Sequence, residues 1–453
     1  MSRKSFSLYA ILVLAVLFNG CAAPRTITDK VILDLYGDHR ATTNNRVPGI
    51  FIPGVLGSVL KKEETGKVLW GEGWGVDFHQ LALPIDGRTL KDNEDSIEAV
   101  WPVENISIIP GLVKIHFYRK LLDIGTRAGG YNLGTDAFTL PYDWRRDLVE
   151  AAQQLGQLIE RIKEEKGQPD LKFDLICHSA GGLIARYYVK YGSTDVLDQD
   201  PLPLPSYEGA RHINRVILLG TPNRGSLDAF KLLHTGMQAI GAGSFSSEVL
   251  FTMPAIYQLF PHEDEFVFLD NAGNSLDVSL YDEKNWEKYG WSVFRLHLQS
   301  NIKKKLIRKY GEAQGAENYK ENLGKQKQFL KKVLKRAKQF HQALWNGEIE
   351  EEKEKVKYYL LGANCLKTQK KAILKNHGSE WDTRFKVKDP KVNKMLFGFG
   401  DELVTKDSFL GLSESEKGRS FPAYSSFFVC TQHKNLTENP TYIDNILHLL
   451  LEQ

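Results

Sequence analysis

The residues from 173 to 182 have the types and order that place a serine at a sharp turn. They read FDLICHSAGG, and a helix-like apolar stretch follows them. Strand, tight turn and helix form the context in which a nucleophilic serine stands at the edge of a sheet. Gly181 leaves room where the turn crowds the backbone, although Cys177 occupies a position at which glycine is usual. We therefore predict that Ser179 is a nucleophile.

A serine hydroxyl needs a neighbouring base to take its proton, and the base needs an acid to orient it. In folds with this turn, the acid and then the histidine follow the serine along the chain. Asp401 lies in the glycine-rich run GFGDELV, and His433 comes shortly after the apolar run at 427–429. We predict that His433 is the base for Ser179 and that Asp401 orients it.

The same part of the chain contains alternatives to this pair. His448 lies in an apolar helical pattern and His377 precedes the acid, so we interpret both as structural. Glu402 and Asp407 compete with Asp401, which we prefer because the preceding glycine permits a sharp turn. A late Gly-Asp pair alone predicts only a turn, so the prediction depends on the order of all three residues.

Attack by a serine also requires hydrogen-bond donors for the oxyanion that forms. The backbone N–H of Ala180, directly after the serine, is one candidate. The backbone N–H of Val55 is the other, because the strand-like run at 50–52 ends in a Pro-Gly turn. By itself such a pair predicts only a turn.

Six short apolar runs predict the strands that would position these residues. They lie at 50–52, 137–140, 173–177, 216–219, 358–361 and 427–429. Continuous apolar runs of this length suit strands that are buried on both faces of a parallel sheet. Helical patterns such as residues 148–165 lie between them. This alternation predicts an α/β fold with a mostly parallel central sheet.

Residues 227–354 interrupt the alternation with helical, basic sequence, and the stretch at 302–338 is rich in lysine. An apolar stripe runs through Phe329, Leu330, Val333, Leu334, Ala337, Phe340 and Leu344. A basic amphipathic helix either lies on an anionic membrane surface or packs on its own domain with a charged outer face. Both interpretations stay open at this point. We predict that 227–354 is a large helical cap between core segments 45–226 and 355–453.

The 453-residue chain is 42% hydrophobic and 25% charged, which is ordinary for one enzyme-sized folded unit. Its net charge of +3 does not favour nucleic acid as a partner. Residues 1–21 resemble a signal peptide, because two cations precede an apolar run that is too short to span a bilayer. Since Cys21 ends a segment similar to a bacterial lipobox, we expect export to the bacterial cell envelope and lipidation at Cys21.

The other cysteines are Cys177, Cys365 and Cys430, which do not make a disulfide framework. A bridge between Cys365 and Cys430 requires the predicted strands that hold them to be neighbours. We prefer the interpretation that both are buried thiols. The 12 histidines show no metal-ligand spacing, so we expect neither a metal nor another cofactor.

Blocks spread from about residue 47 to the C-terminus resemble the lecithin:cholesterol acyltransferase family, which includes phospholipid:diacylglycerol acyltransferases and a lysosomal phospholipase. The blocks are IPGVLGS at 52–58, PYDWRR at 141–146, HSAGG at 178–182, LGTPNRGS at 219–226, MPAIYQLFP at 253–261, GDELV at 400–404 and His433 ahead of Leu436. The PYDWR block in particular is rare outside this family. Glu402 departs from the family, in which glycine is more usual at that position.

The resemblance implies an α/β-hydrolase fold and acyl transfer on lipid esters, through an acyl-enzyme at Ser179. It implies the same acid, base and oxyanion donors as the residues themselves suggest. A phospholipid or another lipid ester is then the expected substrate, with a membrane surface as the expected partner. The alternative is a catalytically inactive lipid-binding envelope lipoprotein, because a fold alone does not imply activity.

Overall fold

The structure is a computed structural model that describes residues 27–36, 46–71, 77–86, 90, 95–109, 113–239, 243–378, 380–413 and 420–451. The predicted signal peptide and Cys21 lie outside these residues. In chain order, the α-helices are α1 Asp29–Tyr36, α2 Arg119–Arg127, α3 Leu148–Lys166, α4 Ala180–Tyr191, α5 Leu227–Thr235, α6 Ser247–Phe251, α7 Pro254–Tyr257, α8 Glu283–Lys288, α9 Leu296–Tyr310, α10 Glu312–Trp345, α11 Ile349–Lys355, α12 Pro390–Met395, α13 Lys406–Phe409 and α14 Pro440–Leu451.

The β-strands are β1 Gly49–Ile52, β2 Ser58–Lys62, β3 Val68–Trp70, β4 Ile97–Pro102, β5 Asn105–Ile109, β6 Val113–His116, β7 Ala137–Thr139, β8 Phe173–His178, β9 Ile213–Leu219, β10 Met237–Ala239, β11 Gly243–Phe245, β12 Phe268–Leu269, β13 Ser275–Leu276, β14 Lys357–Gly362, β15 Leu366–Gln369, β16 Ala372–Asn376, β17 Trp381–Arg384, β18 Phe397–Gly400 and β19 Ala423–Phe428. The six predicted apolar runs fall on β1, β7, β8, β9, β14 and β19.

These six strands form one sheet in the order β7-β1-β8-β9-β14-β19, and every neighbouring pair is parallel. The prediction of an α/β fold with a parallel central sheet is therefore confirmed. The chain order reverses between β1 and β8, since β7 lies on the far side of β1. In open parallel sheets, ligands bind beyond the carboxyl ends of the strands at such a switch point. We therefore expect a site at the loops that follow β1 and β8.

Alternate side chains of the central strands enter two different cores. In β1, Ile50 and Ile52 belong to the core that also holds the apolar sides of α3, α4 and α10, whereas Phe51 belongs to the core beneath α1, α2 and α14. In β8, Ile176 likewise faces the second core. Strand side chains alternate between faces, so continuous apolar runs are required where helices cover both faces of a sheet.

Residues 227–354 are built mainly from helices α5 to α11, together with the short strands β10 to β13. The span is not separate from the rest of the chain, because β12 pairs in parallel with β16. The apolar stripe of α10 is buried along its whole length. Of the two interpretations of that stripe, packing on the domain is therefore correct, since the same side chains cannot also face a membrane.

The interpretation that Cys365 and Cys430 are two buried thiols is wrong. Cys365 and Cys430 form a disulfide with a Cα–Cα distance of 5.4 Å. Cys365 follows β14 and Cys430 follows β19, and these strands are parallel neighbours, so their ends meet at the same edge of the sheet. Cys177 is a buried free thiol, as expected.

No helix in the described part of the chain has both the length and the apolar character needed to cross a bilayer.

Candidate active site

Ser179 lies in the turn between β8 and α4, at the switch point of the sheet. Its backbone has φ 54° and ψ −123°, a conformation that side-chain-bearing residues rarely adopt. The Ser179 N–H donates to the carbonyl of Leu219 at 2.8 Å, which ties the turn to the end of β9. The surrounding strands thus hold the serine in the strained geometry of a nucleophile elbow.

Glycines give the turn the close contacts that it needs. A Cβ on Gly181 would lie 2.3 Å from the carbonyl oxygen of Ile52, and a Cβ on Gly54 would lie 2.9 Å from Cβ of Ser179. Both distances are shorter than side chains tolerate. The β1 loop and the serine turn therefore pack backbone against backbone, which brings the Val55 segment beside Ser179.

Asp401 and His433 form a direct pair, as predicted. His433 Nδ1 lies 2.7 Å from Asp401 Oδ2, and the His433 backbone N–H donates to the Asp401 carbonyl at 2.8 Å. Asp401 is 2% exposed, and its Oδ1 accepts the N–H groups of Leu403 at 3.0 Å and Val404 at 2.7 Å. Because a carboxylate only accepts, the Nδ1 proton is fixed on the Asp401 side and Nε2 of His433 is left as the basic nitrogen.

Gly220 makes space for this pair under the end of β9. A Cβ on Gly220 would lie 3.1 Å from Asp401 Oδ2 and 3.1 Å from His433 Nδ1. Its φ of 59° is also in the left-handed region that favours glycine. The sequence block LGTP, which resembles the family, contains this glycine, but residue types alone did not assign it a role.

The Ser179 hydroxyl and the His433 ring do not make a direct hydrogen bond in the described structure. His178, the residue before Ser179, contacts His433: its Nε2 lies 3.2 Å from the His433 carbonyl oxygen, and its ring centroid lies 4.9 Å from that of His433. Hydrogen bonds between nucleophile and base are often long in enzymes without substrate and tighten on binding. The structure thus brings the three predicted residues to one edge of the sheet.

A buried hydrogen-bond chain connects the two sides of this edge. The Gly54 N–H donates to Tyr118 Oη at 3.1 Å, the Tyr118 hydroxyl lies 3.0 Å from His178 Nδ1, and His178 Nε2–H donates to the His433 carbonyl. Burial lowers the pKa of His178 to about 3, so its ring is neutral and can both accept and donate. The hydrogen-bond chain links the β1 loop to the base, and no local sequence pattern assigns Tyr118 or His178 this role.

The two predicted oxyanion donors have free N–H groups. Within the described residues, neither the Val55 N–H nor the Ala180 N–H has a hydrogen-bond acceptor. Ala180 is the first residue of α4 and is fully buried. Buried orphan N–H groups are rare in folded proteins, and a helix N-terminus favours negative charge. Both features suit an amide that awaits an oxyanion.

The PYDWR block holds the β1 loop in place. Tyr142 Oη donates to the Pro53 carbonyl at 3.1 Å, and Trp144 Nε1 donates to the Ser58 carbonyl at 3.1 Å. Arg145 is fully buried and pairs with Asp143 at 2.6 Å and with Asp95 at 2.6 Å. The block is therefore structural, and its task is to position the candidate oxyanion loop.

A second, partly buried carboxylate interacts with the acid and base. Asp228, in the first turn of α5, pairs with Lys231 at 3.3 Å, while its Oδ2 is buried without a hydrogen-bond partner in the described residues. Burial raises the pKa of Asp228 to about 6, and the Asp401 carboxylate adds to this shift. The sequence signals only a helix start here, so this neighbour of the pair was not predicted.

None of the rival residues takes part in the Asp401–His433 pair. His377 is exposed and its Nε2 lies 3.9 Å from Asp382, and His448 is exposed on α14. Asp407 and Glu402 are exposed beside Asp401. Among the residues described, no group of three or more His, Cys, Asp or Glu side chains could hold a metal ion.

The sheet order defines an α/β-hydrolase fold, and the strained turn of Ser179 and the Asp401–His433 pair lie at one edge of its sheet. The sequence matches the family described as lecithin:cholesterol acyltransferase over residues 111–411. The chain belongs to this family, and it is therefore an enzyme of the class that acts on lipid esters. The matched region contains Ser179 and Asp401, whereas His433 and Val55 lie outside it.

Two solved structures are similar to this chain at low sequence identity, and the first of them, with a TM-score above 0.5, agrees with the fold. A chain in the crystal structure of the Tle4-Tli4 complex is 13% identical, with a TM-score of 0.53, and the match covers 90% of this chain and 99% of that one. The mature lipase BlEst2 of Bacillus licheniformis is 13% identical, with a TM-score of 0.38, over 90% of this chain and 93% of that one. No curated protein sequence matches the chain significantly.

Proposed function

We propose that the chain is a serine-dependent lipid acyl hydrolase or O-acyltransferase that works through an acyl-enzyme on Ser179. The observation that carries the proposal is the buried Asp401–His433 pair at the same sheet edge as the strained serine turn. A lipid-binding protein without catalysis would have no need for either feature. Membership of the family supplies the substrate class, a phospholipid or another lipid ester.

The proposed reaction has two steps. His433 Nε2 takes the Ser179 proton while the serine oxygen attacks the ester carbonyl, and the Val55 and Ala180 N–H groups stabilise the oxyanion. The tetrahedral intermediate then collapses, and His433 returns the proton to the departing alcohol. Water or a lipid alcohol attacks the acyl-enzyme in the same way, which regenerates the Ser179 hydroxyl. Asp401 stabilises the imidazolium and holds its tautomer.

The choice between hydrolysis and transfer depends on which acceptor reaches the acyl-enzyme. The direct experiment incubates the protein with a phospholipid that carries a labelled acyl chain, alone and with a sterol, diacylglycerol or another alcohol. Labelled fatty acid identifies a hydrolase, and labelled acceptor ester identifies a transferase. No labelled product from the wild type under either condition would contradict the proposal.

We also propose export, with lipidation at Cys21. The Cys365–Cys430 disulfide supports export, because disulfides persist in oxidising compartments and are rare in the cytosol. Expression in a bacterial host with labelled palmitate should label the wild type and leave Cys21→Ser unlabelled. Equal labelling of the two proteins would contradict lipidation at this cysteine.

A further inference from the structure

Positive charge is concentrated in one part of the molecule. Helices α9 and α10 together contain thirteen Lys and Arg and three Asp and Glu, a formal net charge of +10. The whole chain carries +3, so all other residues together carry −7. Such asymmetry creates a local positive field that the mean composition conceals.

The two helices form an antiparallel hairpin. They are joined at Gly311, the Gln299 side chain donates to that of Gln326 at 3.0 Å, and a Cβ on Gly315 would lie 2.5 Å from Cα of Ile307. α9 therefore runs beside residues 312–326 of α10, and Gly315 permits close packing near the tip. The hairpin has a fixed register along its length.

The half of this hairpin near the tip lies outside the core. We call α9 together with residues 312–325 of α10 the outer hairpin. No residue of α9 is buried, and only Gly315 is buried within 312–325. At 1.5 Å per residue, the outer hairpin extends by about 20 Å. The apolar stripe begins beyond it, at Phe329, where α10 enters the core.

The cations of α9 differ in their partners from those in residues 326–345 of α10, which we call inner α10. In inner α10, Arg336 pairs with Asp147, Asp195 and Asp198, and Lys338 pairs with Glu263 at 2.6 Å. α9 has five cations and no acidic residue, and none of these cations pairs with a described acidic side chain. They are Lys303, Lys304, Lys305, Arg308 and Lys309. Inner charges thus stabilise the fold, whereas the α9 charges remain available to a partner.

The hairpin is firmly connected to the helix that begins next to Ser179. In α4, Arg186 donates to the Leu344 carbonyl at 2.9 Å and Tyr191 Oη donates to the Ala343 carbonyl at 3.2 Å. The rings of Tyr187 and Phe340 are stacked at 5.8 Å. A surface bound by α9 would therefore take a defined orientation relative to the sheet edge that holds Ser179, Asp401 and His433, which we call the catalytic edge.

We infer that the outer hairpin docks the enzyme on an anionic lipid surface through α9. A cluster of four to eight Lys and Arg on one helix is enough to bind anionic headgroups. We choose a lipid surface, rather than another polyanion, on the basis of the proposed function, because its lipid ester substrate is presented in membranes. The contact is electrostatic, since the apolar stripe of α10 is occupied by the core.

The test compares two triple variants with the same loss of charge. Lys303→Gln, Lys304→Gln and Lys305→Gln change α9, and Lys386→Gln, Lys388→Gln and Lys391→Gln change exposed positions elsewhere. Binding is measured by co-sedimentation with vesicles of phosphatidylcholine alone and of phosphatidylcholine mixed with phosphatidylglycerol. Circular dichroism confirms that each variant is folded.

The α9 variant should bind the mixed vesicles roughly 10- to 100-fold more weakly than the wild type. The matched variant should stay within about threefold, because it loses the same formal charge while all five α9 cations stay in place. Equal losses in both variants, no loss in the α9 variant, or equal wild-type binding to both kinds of vesicle would overturn the inference. So would an α9 variant that loses binding to duplex DNA but not to vesicles.

Activity on a water-soluble short-chain ester, measured alongside, separates this inference from the proposed function. The ratio of vesicle-substrate turnover to soluble-ester turnover should fall in the α9 variant and stay unchanged in the matched variant. The wild type could hydrolyse neither substrate while its vesicle binding still depends on α9. That result would support docking and contradict only the proposed function.

Discussion

The catalytic edge and the outer hairpin are both polar, but they use polar groups in opposite ways. At the catalytic edge, the Asp401 carboxylate accepts three hydrogen bonds, and His178 is bonded through both ring nitrogens. On the outer hairpin, the α9 cations have no acidic partner among the described residues. Fixed, desolvated groups serve chemistry that needs one geometry. Solvated cations serve a contact that tolerates many geometries.

The largest effect should come from removing the base. His433→Ala should lower turnover by roughly 10³- to 10⁶-fold, because Ser179 then has no proton acceptor. Vesicle binding should not change, which separates the two regions. His448→Ala, an exposed histidine on α14, is the matched control and should retain wild-type turnover. A loss of only tenfold in His433→Ala would mean that the base lies elsewhere.

The backbone packing at the edge can be tested through its glycines. Gly181→Ala should destabilise the fold by about 3 kcal/mol, because the new Cβ would meet the Ile52 carbonyl. Gly125→Ala is the control, since no atom lies within 4 Å of its added Cβ, and it should stabilise α2 by about 0.5 to 1 kcal/mol. Urea unfolding measures both changes. An unchanged free energy of unfolding in Gly181→Ala would show that the serine turn has room for the added Cβ, contrary to the structure.

The catalytic edge should also be sensitive to acid. The pKa of His178 is lowered to about 3 in the fold and is about 6.5 when unfolded, so the unfolded chain binds the extra proton between these values. Stability is therefore lost as pH falls below 6.5. His178 should contribute a loss of about 2 kcal/mol at pH 5.

The variant His178→Asn isolates this contribution. The unfolding free energy of the wild type should fall between pH 7 and pH 5. In His178→Asn this fall should be smaller by about 2 kcal/mol. His448→Asn and the α9 lysine variant should keep the wild-type difference. If the unfolding free energy of His178→Asn fell between pH 7 and pH 5 as much as that of the wild type, the His178 ring of the wild type would not be held neutral.

The smallest expected effect concerns Glu402, which has a φ of 85°. Glycine adopts this left-handed conformation without strain, so Glu402→Gly should stabilise the protein by about 1 kcal/mol. Glu402→Ala is the control, because it removes the side chain but keeps the strain. If both variants change the thermal midpoint equally, backbone strain at this position is not the cause.

The sequence revealed the features that depend on local residue patterns. The strand runs and the serine turn could be predicted because a buried strand and a tight turn each require particular neighbours in the chain. The order Ser179, Asp401, His433 could be predicted because the fold type restricts it. The sequence also showed that Glu402 stands where glycine is more usual in the family. Only the structure shows why glycine suits this position, namely its left-handed φ of 85°.

Features that depend on distant contacts could not be predicted in this way. Tyr118 and His178 meet because α2 packs on the central sheet, and no local pattern indicates that contact. The Cys365–Cys430 bridge required knowing that β14 and β19 are neighbours. The stripe of α10 showed that one helix face is apolar, but only the packed structure shows what covers it.

The central claim, that Ser179 is the activated nucleophile of this edge, is tested most directly with a fluorophosphonate probe and intact-mass analysis. The wild type should gain one phosphonyl group, and peptide mapping should locate it on Ser179. Ser300→Ala, which changes an exposed serine on α9, should react like the wild type, and Ser179→Ala should not react. An unmodified wild type, or equal modification of Ser179→Ala, would contradict the claim.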